Sequence, residues 1–342
     1  MPFILNDPKT WPTTAKSDPE YDAAIKAIGG APDMGKFPSI AAMRQFIEDN
    51  KANMVATHEP IPNVKEEDRH ITMRDGQQIA VRIHGPEKPA AGRSPLGVVY
   101  HGGGWCIGGL INEELLCRLM VSKYNMVVVN VDYRLGPEHK FPTGHHDCYD
   151  ATKWAAENAS SLGADPSKGF IIGGTSAGGN ITAAVSHLWR DEGLTPKITG
   201  CHLMIPMVCA DSFHPKDKDL ASWGQLEFAP ILSHAACKLF LDNYIPNIED
   251  RGNQLFSPYL WKTGHKDLPA QYFQICGMDP LRDEALLYER HLREKEGTKT
   301  KVDMYEGVPH GFWSLFPQLE GSKKFVKESV DGVGWLLEQG KQ

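Results

Sequence analysis

The sequence predicts an α/β fold in which a mostly parallel, eight-stranded sheet carries helices on both faces. Two observations lead to this prediction. From about residue 79 onward, short apolar runs alternate with longer amphipathic stretches, as strands and crossover helices do in parallel sheets. Several of the short runs, including residues 96–100 and 170–172, are apolar at nearly every position, which is typical of strands buried on both faces.

The predicted elements follow one another along most of the chain. The strands comprise residues 70–73, 78–84, 96–100, 126–131, 170–173, 201–207, 271–276 and 301–305. Amphipathic patterns predict helices over residues 148–158, 180–190, 283–294 and 324–338. Glycine and proline residues mark the loops between them.

The first 65 residues have a different pattern. Helices are predicted over residues 19–28 and 39–50, without a recognisable strand. A second stretch without a strand runs from residue 211 to about residue 244. We therefore expect residues 1–65 to form a helical lid and residues 66–342 to form the main domain, with a second lid segment at about 211–244. The alternative is that both segments are peripheral helices, and the sequence does not distinguish the two.

Composition narrows the function classes. Of the 342 residues, 41% are hydrophobic and 23% are charged, as in ordinary globular proteins. The net charge of −7 and the lack of a basic stripe disfavour a nucleic-acid partner. No run approaches the ~18 apolar residues of a membrane span. The seven cysteines are odd in number and lack Cys-x-x-Cys spacing, which predicts free thiols in the cytoplasm and no metal site.

A serine between small residues stands where a strand gives way to a helix. Gly174-Thr175-Ser176-Ala177-Gly178 follows the apolar run 170–172 and precedes the helical pattern 180–190. A sharp strand-to-helix turn needs small neighbours, because Cβ atoms at the flanking positions would collide. Such a turn exposes the serine hydroxyl as a nucleophile. Upstream, the glycines of His101-Gly102-Gly103-Gly104-Trp105 leave N–H groups able to point at a developing oxyanion.

A serine nucleophile needs a base that takes its proton and an acid that orients the base. Asp279 follows the predicted strand 271–276 and is the preferred acid. Asp283 is the second choice, since it falls in the first turn of the next helix, where the helix dipole already favours a carboxylate. His310, on a Gly/Pro loop after the last strand, is the predicted base.

These residues resemble the hormone-sensitive-lipase-like branch of the α/β-hydrolase esterases. The resemblance covers roughly residues 70 to 320 in unbroken order and includes His101–Trp105, Asp132-Tyr133-Arg134-Leu135 with Pro137-Glu138, Gly174–Asn180, Ser257-Pro258, Asp279–Glu284 and His310-Gly311-Phe312. It implies that Ser176 is the nucleophile, Asp279 the acid and His310 the base. It also implies that the N–H groups of Gly103, Gly104 and Ala177 form the oxyanion hole. Neither a cofactor nor a metal is implied, and the N-terminal helices are expected to form a lid.

Residues near these motifs have less specific predictions. Thr175, before the serine, places the chain in the Gly-Thr-Ser-Ala-Gly branch of the family. Trp105 and Phe312 are predicted to contact substrate, with a packing role as the alternative. Asp132, Arg134 and Asp147 are expected to form a buried structural ion-pair network.

The sequence thus predicts a serine carboxylesterase that cleaves short-to-medium acyl esters through an acyl-enzyme intermediate. Its partner is a small ester molecule. The alternatives with the same three residues are an acyltransferase and an arylformamide or acetamide hydrolase. A receptor that binds ligand without hydrolysis is disfavoured because His310 is present in its motif. The last strand is expected to leave a sheet edge at which two copies can pair as a homodimer.

Overall fold

The computed structural model describes residues 2–55, 61–88, 94–216, 218 and 220–341. Eight strands form one sheet in the order β1-β2-β4-β3-β5-β6-β7-β8. Only the β1–β2 and β2–β4 pairs are antiparallel. The predicted mostly parallel α/β sheet is therefore confirmed. The strands are β1 (Val64–Thr72), β2 (Gln78–Pro86), β3 (Leu96–Tyr100), β4 (Val127–Asp132), β5 (Phe170–Thr175), β6 (Gly200–Met204), β7 (Ala270–Met278) and β8 (Thr300–Pro309).

The central strands are buried because both faces of the sheet carry helices. Every residue of β3 and β6 is buried, in agreement with sequences that are apolar apart from His202. By contrast, β1 is polar and largely exposed at one edge of the sheet. It is longer than the predicted strand 70–73, because its hairpin with β2 continues until Val64 faces Pro86. The predicted strand 201–207 ends at Met204, just before Pro206.

Two helical layers enclose the sheet. On one face α3 and α11 pack together, and on the other α4 packs on α6, whose His187 lies near Tyr288 of α9. The α-helices are α1 (Pro19–Ala27), α2 (Ile40–Val55), α3 (Glu114–Tyr124), α4 (Thr143–Glu157), α5 (Ala159–Leu162), α6 (Ala177–Asp191), α7 (Ala221–Gln225), α8 (His234–Tyr244), α9 (Arg282–Lys295), α10 (Phe312–Leu315) and α11 (Glu320–Gln339). Short 3₁₀ helices occur at Pro8–Ala15, Met34–Lys36, Leu110–Glu113, Pro166–Lys168, Asp211–Phe213, Glu249–Gly252 and Pro258–Leu260.

The N-terminal segment packs against the carboxyl ends of β7 and β8. A Cβ at Gly277 would lie 2.1 Å from the Thr14 carbonyl oxygen, so these two backbones are in close contact. The Asp18 N–H donates to the Gly307 carbonyl at 3.0 Å. Helices occur at α1 and α2, near the predicted ranges 19–28 and 39–50. The segment therefore lies over the end of the sheet where β7 and β8 terminate.

Candidate active site

Ser176 lies on the turn between β5 and α6. Its backbone has φ 55° and ψ −110°, a conformation that is rare for a residue other than glycine. Its N–H donates to the Met204 carbonyl at 2.8 Å. A Cβ at Gly178 would lie only 2.0 Å from the Tyr100 carbonyl oxygen, so the close approach of α6 to β3 requires glycine there. The small residues on either side of Ser176 thus allow the sharp turn that the sequence predicts.

Asp279 and His310 follow neighbouring strand ends. The β7–β8 register pairs Met278 with Pro309, so the next residue of each strand lies at the same edge of the sheet. His310 Nδ1 lies 2.6 Å from Asp279 Oδ2, and His310 Nε2 lies 2.8 Å from Ser176 Oγ. Asp279 Oδ1 accepts a 2.9 Å hydrogen bond from the Leu281 N–H. Only 1% of Asp279 and 6% of His310 are exposed, so the contact between these two side chains is shielded from water.

The second-choice acid, Asp283, has other partners. Its Oδ1 pairs with Arg282 Nε at 2.6 Å, and its Oδ2 accepts from the Ser222 N–H at 2.8 Å. Asp283 is fully buried, so its charge is stabilised by these contacts as well as by its position in the first turn of α9. Because Asp279 contacts His310 and Asp283 is engaged elsewhere, the geometry favours Asp279 as the acid.

Three N–H groups near Ser176 are unused within the described part of the chain. Gly103 and Gly104 have φ of +119° and +54°, which few side chains tolerate. A Cβ at Gly104 would lie 2.4 Å from the Phe240 ring. Among the hydrogen bonds of the described residues, none has the N–H of Gly103, Gly104 or Ala177 as its donor. The loop and the first residue of α6 therefore leave donors available to an anion.

Glu113 is a buried site residue that the sequence did not indicate. It lies at the end of the 3₁₀ helix Leu110–Glu113, borders the cavity and is 7% exposed. Burial raises its pKa to about 7, although hydrogen bonds with Thr175 and with the Gly102 backbone favour the ionised form. Glu113 thereby connects the loop that carries Gly103 to the residue before Ser176. The hydrophobic pattern of the sequence could not have indicated it, because two consecutive glutamates, Glu113 and Glu114, are typical of a solvent-exposed surface.

A cavity of about 640 Å³ opens beside Ser176 and His310. Both segments predicted as lids contribute to its wall. Residues 1–65 contribute Met34, Ile47 and Glu48, while residues 211–244 contribute Asp211, Trp223, Leu232, Cys237, Phe240 and Leu241. A polar corner contains Arg82, Asn112, Glu113, Glu114 and Asp132. The cavity is therefore apolar towards α8 and polar towards the end of β4.

The two aromatic residues predicted to contact substrate differ in position. Trp105 lines the cavity and stacks on Tyr244, with ring centroids 5.4 Å apart. Phe312, by contrast, is fully buried among aromatic rings that include Phe325, and it is absent from the cavity wall. Its neighbour Trp313 lines the cavity instead. Phe312 thus has the packing position that the sequence left as the alternative, and its contact with substrate stays a prediction.

The predicted ion-pair network is correct only in part. Arg134 contacts Asp147 at 2.6 Å and Asp75 at 2.7 Å. Asp132 is not a member of this network, since it lines the cavity at the end of β4. Strand β4 ends at Asp132, so the chain has left the strand before Arg134, whose side chain contacts Asp75 and Asp147. Asp132 is therefore a residue of the site and not of the structural network.

Metal sites and membrane-spanning helices are absent from the described ranges. There, no group of three or more metal-binding side chains lies close enough together to hold an ion. None of the helices described has the length and apolar character needed to cross a bilayer. All seven cysteines are buried free thiols, as predicted.

The chain was compared with known proteins. The alpha/beta hydrolase fold family matches residues 97–314. An AB hydrolase superfamily protein of Schizosaccharomyces pombe is 38% identical over 96% of both chains. A versiconal hemiacetal acetate esterase of Dothistroma septosporum is 35% identical over 79% of this chain and 82% of its own. The crystal structure of vibralactone cyclase superposes with a TM-score of 0.87 at 33% identity, covering 96% of this chain and 97% of that one.

The chain belongs to the α/β-hydrolase fold family. Further relatives at 31% and 32% identity are named carboxylesterase and carboxylic ester hydrolase. Within the family the chain is a carboxylic ester hydrolase of the hormone-sensitive-lipase-like type. Its assignment to the Gly-Thr-Ser-Ala-Gly branch, made from Thr175, stays a prediction.

Proposed function

We propose that the protein is a serine carboxylesterase that hydrolyses short-to-medium acyl esters through an acyl-enzyme intermediate. The observation that carries the proposal is the continuous hydrogen-bonded chain from Ser176 Oγ through His310 to Asp279. In this assignment His310 Nε2 takes the proton of Ser176 as Oγ bonds to the ester carbonyl carbon. Asp279 holds the imidazole orientation and stabilises the imidazolium.

The remaining steps use the same residues. The tetrahedral oxyanion accepts hydrogen bonds from the N–H groups of Gly103, Gly104 and Ala177, which have no other acceptor among the described residues. When the ester C–O bond breaks, His310 gives its proton to the departing alcohol. Water then enters, loses a proton to His310 and attacks the acyl-enzyme, which releases the acid and regenerates Ser176.

The lid assignment belongs to this proposal. Residues 1–65 and 211–244 both supply cavity walls, so they define how long an acyl chain the site accepts. We expect turnover of aryl esters to be highest for short and medium acyl chains and to fall steeply for long ones. The cytoplasmic location is proposed from the seven free thiols. Pairing of two copies through the edge strand β8 stays a prediction.

The central test is Ser176→Ala. This variant should fold normally and lose ester hydrolysis by about 10⁴-fold or more. A serine-directed phosphonate should label wild-type Ser176, while Ser314, the other serine among the described cavity residues, should stay unlabelled. Retention of more than about a tenth of the wild-type kcat, or a label on Ser314, would contradict the nucleophile assignment.

Acyl transfer is the second candidate, and one comparison favours it. A structure similar to this chain over nearly its whole length carries the name cyclase and not hydrolase. An acyl-enzyme can react with an alcohol in place of water if the cavity excludes water. Product analysis with and without an added alcohol distinguishes the two outcomes. Parallel assays with matched amides separate an ester hydrolase from the amide hydrolase that the sequence left open.

A further inference from the structure

The polar corner of the cavity contains a carboxylate to which the described residues provide no partner. Asp132 is the last residue of β4, is partly buried and lines the cavity. Within the described residues, no hydrogen-bond donor and no cation contacts its side chain, and burial alone raises its pKa above the usual range. Removing a carboxylate from water without giving it a hydrogen-bond donor raises its free energy. A donor group on a bound ligand would remove that cost.

The neighbouring glycine keeps this carboxylate accessible. A Cβ at Gly109 would lie 3.4 Å from Asp132 Oδ1, and both residues line the cavity. Gly109 has φ of 167°, which is extended backbone that any residue can adopt. The backbone conformation therefore does not require glycine at this position. What the missing side chain provides is open space in front of Oδ1.

The arginine that lines this corner is bound to other carboxylates. Arg82 lines the same cavity from β2, where Ala80 faces Asp132 and Arg82 faces Asn130. Its guanidinium contacts Asp68 at 2.7 Å and Glu114 at 2.9 Å. The guanidinium of Arg82 is thus engaged by Asp68 and Glu114, and among the described residues no ion pair joins it to Asp132. The corner consequently offers an acceptor to whatever enters the cavity.

We propose that Asp132 is a specificity-determining residue that accepts a hydrogen bond from a hydroxyl or ammonium group of the ester substrate. The inference rests on the proposed esterase function. In the sheet, β3 separates β4 from β5, so the end of β4 lies about 10 Å from the end of β5, which leads into Ser176. The opposite wall is apolar, with Leu232, Phe240 and Leu241. The substrate class is therefore an amphiphilic ester with a donor group remote from the ester bond.

The experiment compares pairs of esters that differ only in the terminal group. One series consists of butyrate monoesters of linear diols, each matched with the butyrate ester in which a methyl group replaces the free hydroxyl. A second series carries the terminal hydroxyl on the acyl chain, and a third carries a terminal ammonium group. Chain length is varied within each series. The readout is the ratio of kcat/KM for the donor ester to kcat/KM for its methyl counterpart.

At the matching length, the wild-type enzyme should favour the donor ester by about tenfold or more, because hydrogen bonds to charged groups are the stronger ones. Asp132→Asn should abolish the preference for the ammonium ester and reduce that for the hydroxyl ester. Asp132→Leu should reverse both preferences. Gly109→Ala, which leaves Asp132 intact, should lower the ratio by shielding Oδ1. The matched control is Asp68→Asn, which removes a carboxylate bound to Arg82 outside the cavity and should leave the ratio unchanged.

Three outcomes overturn the inference. The first is a wild-type ratio near one at every chain length in all three series. The second is a ratio that Asp132→Asn and Gly109→Ala both leave unchanged. The third is a change with Asp68→Asn as large as that with Asp132→Asn, since the effect would then come from the general charge of the corner. If the wild-type enzyme cleaves no ester at all, the proposed function itself fails, and plain-ester turnover distinguishes this case.

Discussion

Replacing Glu113 by glutamine should make the protein more stable at alkaline pH. Burial raises the pKa of Glu113 from 4.5 to about 7. The folded state therefore keeps a proton between these pH values that the unfolded state has lost, so stability falls as pH rises through this window. Above about pH 7 the penalty is complete. A pKa difference of this size between the folded and unfolded states lowers the free energy of unfolding by at most about 3 kcal/mol.

Glutamine keeps the shape and the hydrogen-bonding oxygen of Glu113 but cannot ionise. The free energy of unfolding in urea should be similar for Glu113→Gln and wild type near about pH 5, and higher for the variant near about pH 8 by up to about 3 kcal/mol. The control is Glu114→Gln. It removes a carboxylate that pairs with Arg82 and Arg118, so it should destabilise the protein at both pH values. A difference between Glu113→Gln and wild type that is independent of pH would refute the reasoning.

Three further predictions concern the catalytic residues and the lid. Asp279→Asn should lower kcat by orders of magnitude, because an amide favours the wrong imidazole tautomer. Asp283→Asn should reduce stability more than kcat. If kinetics and denaturation show the reverse, the roles of the two aspartates are exchanged. Gly104→Ala should lower kcat by about 10²-fold, because its Cβ meets Phe240, and adding Phe240→Ala should restore part of it; full activity of the single variant would argue against this loop as an oxyanion hole. Removing residues 1–45 should expose apolar surface and impair activity, and an unchanged kcat/KM with an unchanged acyl-chain profile would show that these helices are peripheral.

The elements that depend on local patterns were predictable from the sequence. Buried strands such as β3 and β5 are apolar at nearly every position, and the glycines around Ser176 indicate a sharp turn whatever surrounds it. The ends of helices and strands were predicted less accurately. Helix α4 begins at Thr143, five residues before the predicted start at 148, because its first turns are buried through contacts with distant segments and not through a regular apolar stripe.

The directions in which the side chains of the site point could be determined only from the tertiary structure. Phe312 and Trp313 are adjacent and both aromatic, so nothing local separates a residue on the cavity wall from one in the core. Asp132 and Arg134 belong to one motif, yet the chain turns after β4 and sends them to different neighbours. The pKa of Glu113 likewise depends on burial, which the sequence near it does not indicate.

By itself, the sequence determined the α/β class and a set of three residues whose order and loop positions suit a serine hydrolase. It could do so because strand periodicity and turn chemistry act over a few residues. Only the tertiary structure decided that Asp279 and not Asp283 meets His310, that Asp132 faces an open cavity, and which residues from the two predicted lid segments line it. These features depend on contacts between segments far apart in the chain, where packing selects among side chains that local sequence leaves equivalent.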